Sequence, residues 1–282
     1  METVLQIFLY VLKDLVILVG LPIVIGFILK LTGDKALEYR TRVNRRKGVT
    51  VFGYIGTPIH ELSHALMALL FGHKINKIVF FKPPSESVNE RVALGYVNHS
   101  YNPNNLYHRI GLFFIGIAPT IGGVIAIYVV TYFLMPNLFG ELYHTYSVGA
   151  NKGLEGIASI GLLVSQVATT LGVLFSPQNL LNPFFYLYFY IILAIASHMR
   201  LSKEDMQGAT LGLITIGVLL LIFETIGVIL FSSQGLLNET WGSFVLSLNL
   251  FFTQFSILSI VLSGIGLFLS YLWYRVSRYR KQ

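Results

Sequence analysis

The pentapeptide His60-Glu61-Leu62-Ser63-His64 has the residue types and the spacing of an HExxH metal-binding motif. On an α-helix, residues four apart lie on one face, so His60 and His64 can direct both imidazoles at one metal ion. Glu61 is one step round the helix and can act as general base on a water molecule that the metal activates. Zinc lowers the pKa of such a water to about 7, and this chemistry suits hydrolysis of an amide bond.

A catalytic zinc site needs a third protein ligand and one open coordination position. The chain has no cysteine, so the ligands must be His, Asp or Glu. Two candidates lie close together later in the chain: His198 ends one apolar stretch and Asp205 begins the next. His198 could instead be an interfacial histidine, and Asp205 could only cap a helix beside Ser202. We favour His198 as the third ligand and retain Asp205 as the alternative; whichever is not a ligand could support the other.

The composition indicates a membrane protein. Of the 282 residues, 54% are hydrophobic and only 12% are charged, which is about half the charged share of a soluble domain. A bilayer requires apolar runs of about 20 residues, and several are present. We therefore expect an all-α polytopic membrane protein with about six membrane segments. The apolar runs extend along almost the whole chain, so residues 1–282 are predicted to form a single integral membrane domain.

Local signals predict the elements that would position the motif. Thr57 followed by Pro58 is typical of a helix start, and Gly72 of a helix end, which predicts a motif helix of about four turns. Such a helix is too short to span a membrane alone. The segments Ile75–Phe81 and Val92–His99 are β-prone, which predicts a small β-hairpin or re-entrant sheet after the motif helix. The segment Ile110–Met135 is predicted to be one span.

The formal charge of +7 comes from Lys and Arg residues that cluster beside the apolar runs. This pattern is typical of membrane topology and contact with anionic lipids, and we expect no nucleic-acid partner. The positive-inside rule puts residues 73–109, 198–205 and the tail 274–282 in the cytoplasm. The basic segment 35–47 would join them only if residues 49–72 entered and left on one side. We expect the plasma membrane of a bacterial cell, with a cytoplasmic C-terminus.

The stretch HELSHALMALLFGHKINKIVFF resembles the motif region of the site-2 protease family of intramembrane zinc metalloproteases. In that family a membrane helix carries HExxH, and a β-hairpin or re-entrant sheet, another span and an Asp-containing motif follow. The same order covers about residues 50–210 here, with additional spans at 1–31 and 206–273. The family often has Gly where this chain has Ser63. Its later motif is Asn-Pro-Asp-Gly or Leu-Asp-Gly, whereas Asn182-Pro183 lacks an adjacent Asp and Asp205 is followed by Gly208.

The resemblance implies a zinc metalloprotease that cuts a membrane-spanning or membrane-proximal polypeptide near the cytoplasmic face. It also implies that the β-prone segment presents an edge strand to an unwound substrate, which pairs through main-chain hydrogen bonds. Gly95, Asn98 and His99 would then lie near the bound peptide. An ordinary cytoplasmic loop is the alternative for this segment.

Two other functions fit the same residues. A transporter or channel with a structural or transported metal would have ionisable residues on several spans. Here they concentrate in the motif, with Lys13-Asp14 and Glu224 as the exceptions. A non-catalytic scaffold derived from a protease would have no need of Glu61.

Overall fold

The structure is a computed structural model that describes residues 2–83, 94–150, 160–231 and 239–279. It is mainly helical, and a π-helical turn (Val16–Gly20) joins the first two helices. The helices are α1 (Glu2–Leu15), α2 (Leu21–Val43), α3 (Arg45–Leu70), α4 (Leu106–Gly116), α5 (Ala118–Leu134), α6 (Pro136–Ala150), α7 (Ile160–Leu174), α8 (Pro177–Leu181), α9 (Pro183–Ala196), α10 (Lys203–Phe231) and α11 (Glu239–Tyr279), and the strands are β1 (Lys74–Val79) and β2 (Tyr96–Ser100).

Several of these helices are long and apolar enough to cross a membrane. In the part of the chain that the structure describes, three segments meet this condition: Thr3–Gly20, Lys203–Ile229 and Phe255–Tyr279. The pair α4 and α5 adds a fourth if the two bent helices form one span. Helix α9 is apolar but has only 14 residues, about 21 Å of helix. The predictions of a mainly helical chain and of several apolar helices of membrane-spanning length are confirmed.

The motif helix starts much earlier than the sequence predicted. Helix α3 begins at Arg45, where the side chain of Asn44 accepts a hydrogen bond from the backbone N–H of Lys47 at 2.8 Å. Pro58 lies inside the helix and does not begin it. Thr57 is buried, and its hydroxyl has no hydrogen-bond partner among the described residues, so it does not act as an N-cap. The prediction failed because an interior proline, packed against neighbouring helices, was interpreted as a helix start.

The predicted end of the motif helix is confirmed, and a sheet follows it. Gly72 has a φ of 72°, and the backbone N–H groups of Gly72 and His73 donate to the carbonyls of Leu69 and Ala68 at 3.0 and 2.8 Å. These are the bonds of a Schellman motif. Strand β1 starts two residues later and pairs antiparallel with β2. The two strands lie within the β-prone segments, apart from Lys74 and Ser100 at their outer ends, and residues 84–93 lie outside the described residues.

The segment expected to be a single span between Ile110 and Met135 is broken. Helices α4 and α5 meet at an angle of 59° around Ile117. Pro119 occupies the first turn of α5, where its missing N–H costs no hydrogen bond, and this favours a new helix start over a continuous helix. The bend brings the end of α4 against the motif helix.

Helix α3 is surrounded by α2, α5 and α9. The core beside it contains large apolar side chains from α5, α9 and α11, among them Ile127, Phe185, Ile192 and Phe255. The hydroxyls of Thr131 and Tyr188 are 3.0 Å apart within this core and satisfy each other. Helix α10 packs against α4 on the other side of the motif. The site described below therefore lies between α3, α4, the end of α9 and the start of α10.

The two ends of α3 lie far apart. The helix has 26 residues and so a length of about 39 Å, more than the hydrocarbon thickness of a bilayer. At its start, the ring of Tyr39 lies 5.4 Å from that of Tyr271, and the Arg42 guanidinium lies 5.9 Å from the ring of Tyr274. Segment 35–47 and the last turns of α11 thus share one end, while the sheet is at the other. Helix α3 is continuous from Arg45 to Leu70, and it is not among the described segments that are long and apolar enough to cross a membrane.

Candidate metal centre

Backbone carbonyls hold the imidazoles of His60 and His64. The Nδ1 of His60 lies 2.7 Å from the carbonyl oxygen of His198, and the Nδ1 of His64 lies 2.8 Å from that of Ile115. Because a carbonyl oxygen can only accept, both Nδ1 atoms must carry the proton and donate it. Both Nε2 atoms therefore present lone pairs, and they are 3.2 Å apart. This is the arrangement in which metal-binding histidines are usually held.

Asp205 completes the group from the first turn of α10. Its Oδ1 lies 3.2 Å from Nε2 of His64, and its Oδ2 lies 3.9 Å from Nε2 of His60. The same carboxylate forms a capping box with Ser202: Oδ2 accepts from the Ser202 N–H at 2.7 Å, and the Ser202 Oγ accepts from the Asp205 N–H at 3.0 Å. The predicted helix cap at Ser202 is thus present. Because a carboxylate has two oxygens, capping does not prevent Asp205 from also facing the histidines.

The three side chains fit a tetrahedral divalent metal ion. Their ligand atoms all lie within 4.8 Å of one another. In neutral imidazoles with both Nδ1 atoms protonated, the Nε2 lone pairs and the carboxylate oxygens repel one another, and either a metal ion or a proton on one Nε2 relieves that repulsion. Two ligand atoms at about 2.05 Å from a tetrahedral zinc would be about 3.3 Å apart, and the two shorter separations here are each 3.2 Å. The donor set leaves one coordination position open and also suits other divalent metals.

These ligand atoms face a cavity of about 420 Å³, a size typical of ligand sites. Its apolar wall comes from α4, through Leu112 and Ile115, and from Val97 on β2. Besides Asp205, the carboxylates of Glu61 and Glu204 line the cavity, and none of the described residues that line it is a lysine or an arginine. The carboxylates and the absence of Lys and Arg among the described lining residues make the cavity suited to a cation.

Glu61 lines the same cavity as the metal ligands and is largely buried. The backbone at Gly95 closely approaches it: a Cβ at residue 95 would lie 2.7 Å from the Cγ of Glu61 and 2.7 Å from the carbonyl oxygen of Val79. Both distances are shorter than any normal contact, so this position requires glycine. Gly95 therefore lets the chain before β2 form a wall of the cavity directly beside Glu61.

The two candidates for the third ligand, His198 and Asp205, occupy different positions relative to the motif histidines. His60, His64 and Asp205 converge, whereas the ring of His198 does not join them. The Nδ1 of His198 lies 3.1 Å from the carbonyl oxygen of Ala194 and 3.0 Å from the Oγ of Ser197. His198 contributes its backbone carbonyl, which orients His60.

Of the three residues proposed to lie near a bound peptide, two line the cavity and one does not. Gly95 and His99 line the cavity. Asn98 points to the exposed face of the sheet, where its Oδ1 accepts a hydrogen bond from the side chain of Asn76 at 3.1 Å. This follows from the alternation of a strand, since neighbouring side chains point to opposite faces.

Comparison with protein-family models, with curated proteins and with solved structures finds no match for this chain.

Some parts of the site had no signal in the sequence. The carbonyl of Ile115 is a backbone group, and any residue could supply it. The role of Gly116 depends on a contact with a helix 89 residues later: a Cβ here would lie 2.4 Å from the carbonyl oxygen of Asp205 and 2.7 Å from the backbone nitrogen of Ala209. Glycine at this position permits the close packing of α10 against α4.

We expect Gly116→Ala to push α10 away from α4 and to displace Asp205 from the histidines. Overpacking of this kind destabilises a protein by about 1–3 kcal/mol, and we expect zinc affinity to fall by about tenfold or more because a displaced ligand binds poorly. Zinc affinity and thermal unfolding in detergent measure the two effects. Gly264→Ala is the control, since a Cβ there would meet nothing within 4 Å. Equal behaviour of the two variants would contradict this account.

Proposed function

We propose that the protein is an intramembrane zinc metalloprotease of the site-2 protease kind. It hydrolyses peptide bonds of membrane-spanning or membrane-proximal polypeptides. The observation that carries the proposal is the convergence of one ligand atom each from His60, His64 and Asp205 at the cavity that Glu61 also lines. A metal ligand set with an open position and an adjacent carboxylate are what metal-assisted amide hydrolysis requires.

The residues have distinct roles in this reaction. His60, His64 and Asp205 would hold a zinc ion, which would supply a Lewis acid for the substrate carbonyl and for a water molecule whose pKa it would lower to about 7. Glu61 takes a proton from the attacking water as the water oxygen bonds to the carbonyl carbon. It then delivers that proton to the amine nitrogen as the C–N bond breaks. The carbonyls of His198 and Ile115 keep the Nε2 lone pairs directed at the metal.

The substrate approaches along β2. Residues Gly95, Tyr96 and Val97 line the cavity, so an extended peptide lying beside this segment would pass the metal ligands. Edge pairing through main-chain hydrogen bonds holds a peptide in an extended form and depends little on its sequence. A transmembrane helix must unwind locally before it can be held in this way.

The bilayer is the solvent for the apolar helices, and we place the protein in the plasma membrane of a bacterial cell. Cleavage would take place near the cytoplasmic face, because segments 73–109 and 198–205, which contain lining residues of the cavity, carry the Lys and Arg residues that the positive-inside rule assigns to the cytoplasmic side.

A second candidate function is metal-ion transport. Asp14 and Glu224 are each only 1% exposed and lie within the candidate spans Thr3–Gly20 and Lys203–Ile229. Buried acids on membrane helices are typical of ion pathways. In this case the metal centre would be a binding site on the pathway of a transported ion.

Zinc content and peptide cleavage of detergent-purified protein test the proposal. We expect about one zinc per chain in the wild type and in the matched control His144→Ala, and no zinc in His60→Ala. A mixture of synthetic peptides from unrelated transmembrane helices, analysed by mass spectrometry, should be cleaved only by the first two proteins. A folded wild type that takes up no zinc would reject the proposal. Zinc binding with zinc flux into liposomes, and no cleavage, would establish the transporter.

A further inference from the structure

A row of three histidines lies near the metal centre, and the proposed reaction uses none of them. His73 follows α3, His99 is on β2, and His108 is in the first turn of α4. The Nδ1 atoms of His73 and His99 are 3.0 Å apart, and Nε2 of His73 is 2.9 Å from the carbonyl oxygen of His108. The ring of Tyr101 stacks on that of His73, with centroids 5.2 Å apart. His73 is therefore held from two sides.

The hydrogen bonds determine which nitrogen carries each proton. The carbonyl of His108 can only accept, so Nε2 of His73 must donate to it. A neutral His73 then has a lone pair on Nδ1, and Nδ1 of His99 must donate to that lone pair. Burial lowers the pKa of both rings, and the neighbouring His73 and His64 lower that of His99 further, which keeps both rings neutral. The Nε2 of His99 is consequently an acceptor without a proton.

His99 faces the cavity of the metal centre. Side chains alternate along β2, so Val97 and His99 share one face, and both line the cavity. Tyr96, Asn98 and Ser100 are exposed. Val97 on the same strand and Leu112 on α4 contribute apolar side chains to the lining of this cavity. Less water competes for an acceptor beside apolar side chains than for one in bulk solvent, which strengthens its hydrogen bond with a donor.

We propose that Nε2 of His99 accepts a hydrogen bond from a main-chain N–H of the polypeptide at the metal centre, and that His73 is the positioning residue that keeps this nitrogen an acceptor. This inference rests on the proposed protease function, and it assigns to His99, which was expected only to lie near the bound peptide, a specific atom and a specific hydrogen bond. Every polypeptide has main-chain N–H groups, so the contact does not depend on the substrate's side chains. An acceptor that cannot donate attracts an N–H and repels a carbonyl. The direction of the substrate chain is thereby selected.

Two metal-chelating probes separate this contact from the metal site. Acetohydroxamate binds a zinc ion but has no peptide N–H, whereas a leucyl-phenylalanine peptide hydroxamate has both the chelating group and main-chain N–H groups. Calorimetric titration of zinc-loaded protein in detergent gives both affinities. For His99→Phe we expect the peptide hydroxamate to bind about tenfold more weakly, the effect of one buried hydrogen bond. Acetohydroxamate should bind as in the wild type.

Two further variants test the acceptor and the positioning role. His99→Gln retains an oxygen acceptor near the position of Nε2 and should restore most of the affinity for the peptide hydroxamate. His73→Phe leaves His99 in place but frees its tautomer, so the peptide hydroxamate should again bind more weakly while acetohydroxamate does not. Equal losses for both probes in His99→Phe, or no loss for either, would overturn the proposal. A folded, zinc-supplied wild type that binds neither probe would instead show that the metal centre itself is absent, and the inference would fall with it.

Discussion

Glu61→Gln should keep its zinc and lose peptide hydrolysis by a factor of about 10² to 10⁴, the contribution typical of general acid–base catalysis. The substitution preserves the size of the side chain but removes its ability to take a proton from water. Gly95 approaches the Cγ of residue 61, and an isosteric change leaves that contact unaltered. The cleavage rate of a transmembrane peptide, followed by mass spectrometry, measures the first quantity, and the metal content measures the second.

Glu204→Gln is the matched control for this experiment. Glu204 also lines the cavity, but it is not among the three residues whose ligand atoms converge. We expect this variant to hydrolyse the same peptide at a rate within about threefold of the wild type, since it removes neither a ligand nor the base. A zinc-loaded Glu61→Gln protein that cleaves as fast as the wild type would remove Glu61 from the mechanism. An equal loss in both variants would indicate a general effect of cavity charge.

Asp205→Asn should weaken zinc binding by at least about 100-fold, because it removes a charged ligand and not merely a supporting hydrogen bond. An asparagine oxygen can still accept from the N–H of Ser202, so the start of α10 should remain capped. A loss of metal affinity with retained thermal stability would therefore reflect ligation. Competition with a chromophoric chelator in detergent gives the dissociation constants.

The outcome of this experiment also decides between the two ligand candidates. Glu204→Gln, one residue away on the same helix turn, should bind zinc as the wild type does. If Asp205→Asn binds zinc normally while His198→Phe does not, the imidazole of His198 is the third ligand after all. The conformation described here, in which Nδ1 of His198 lies 3.1 Å from the carbonyl oxygen of Ala194, would then not be that of the metal-bound protein.

The metal-binding motif could be predicted from the sequence because its geometry depends only on residues close together in the chain. Two histidines four residues apart share a helix face whatever the rest of the chain does, and Glu61 lies beside them. The position of Asp205 beside these histidines could not be predicted in this way. Asp205 is 141 residues beyond His64, and its position depends on the close approach of α10 to α4 at Gly116. The Ser202 and Asp205 pair gave a capping signal, but a capping signal alone does not show where the second carboxylate oxygen points.

Helix and strand type were predictable, while boundaries and breaks depended on packing. The alternation of β2 and the glycine at the end of α3 are local signals, and the structure has both features. Pro58 and Pro119 show that proline alone does not predict where a helix begins: the first lies inside a helix and the second starts one. Neighbouring helices pack around both α3 and α5, so neither the residue type nor its enclosure distinguishes the interior proline from the one that starts a helix.

The hydrogen bonds between the motif histidines and carbonyl groups far away in the sequence have a consequence for biosynthesis. His60 and His64 acquire their orientation only from the carbonyls of His198 and Ile115, and their third partner arrives with Asp205. A growing chain that has produced α3 alone therefore has two imidazoles with unfixed tautomers and no preformed chelate. The centre comes into existence only after α10 has begun and docked, so long-range contacts limit when it forms. If the protein has the proposed function, partly made chains cannot hydrolyse neighbouring polypeptides at the site of synthesis.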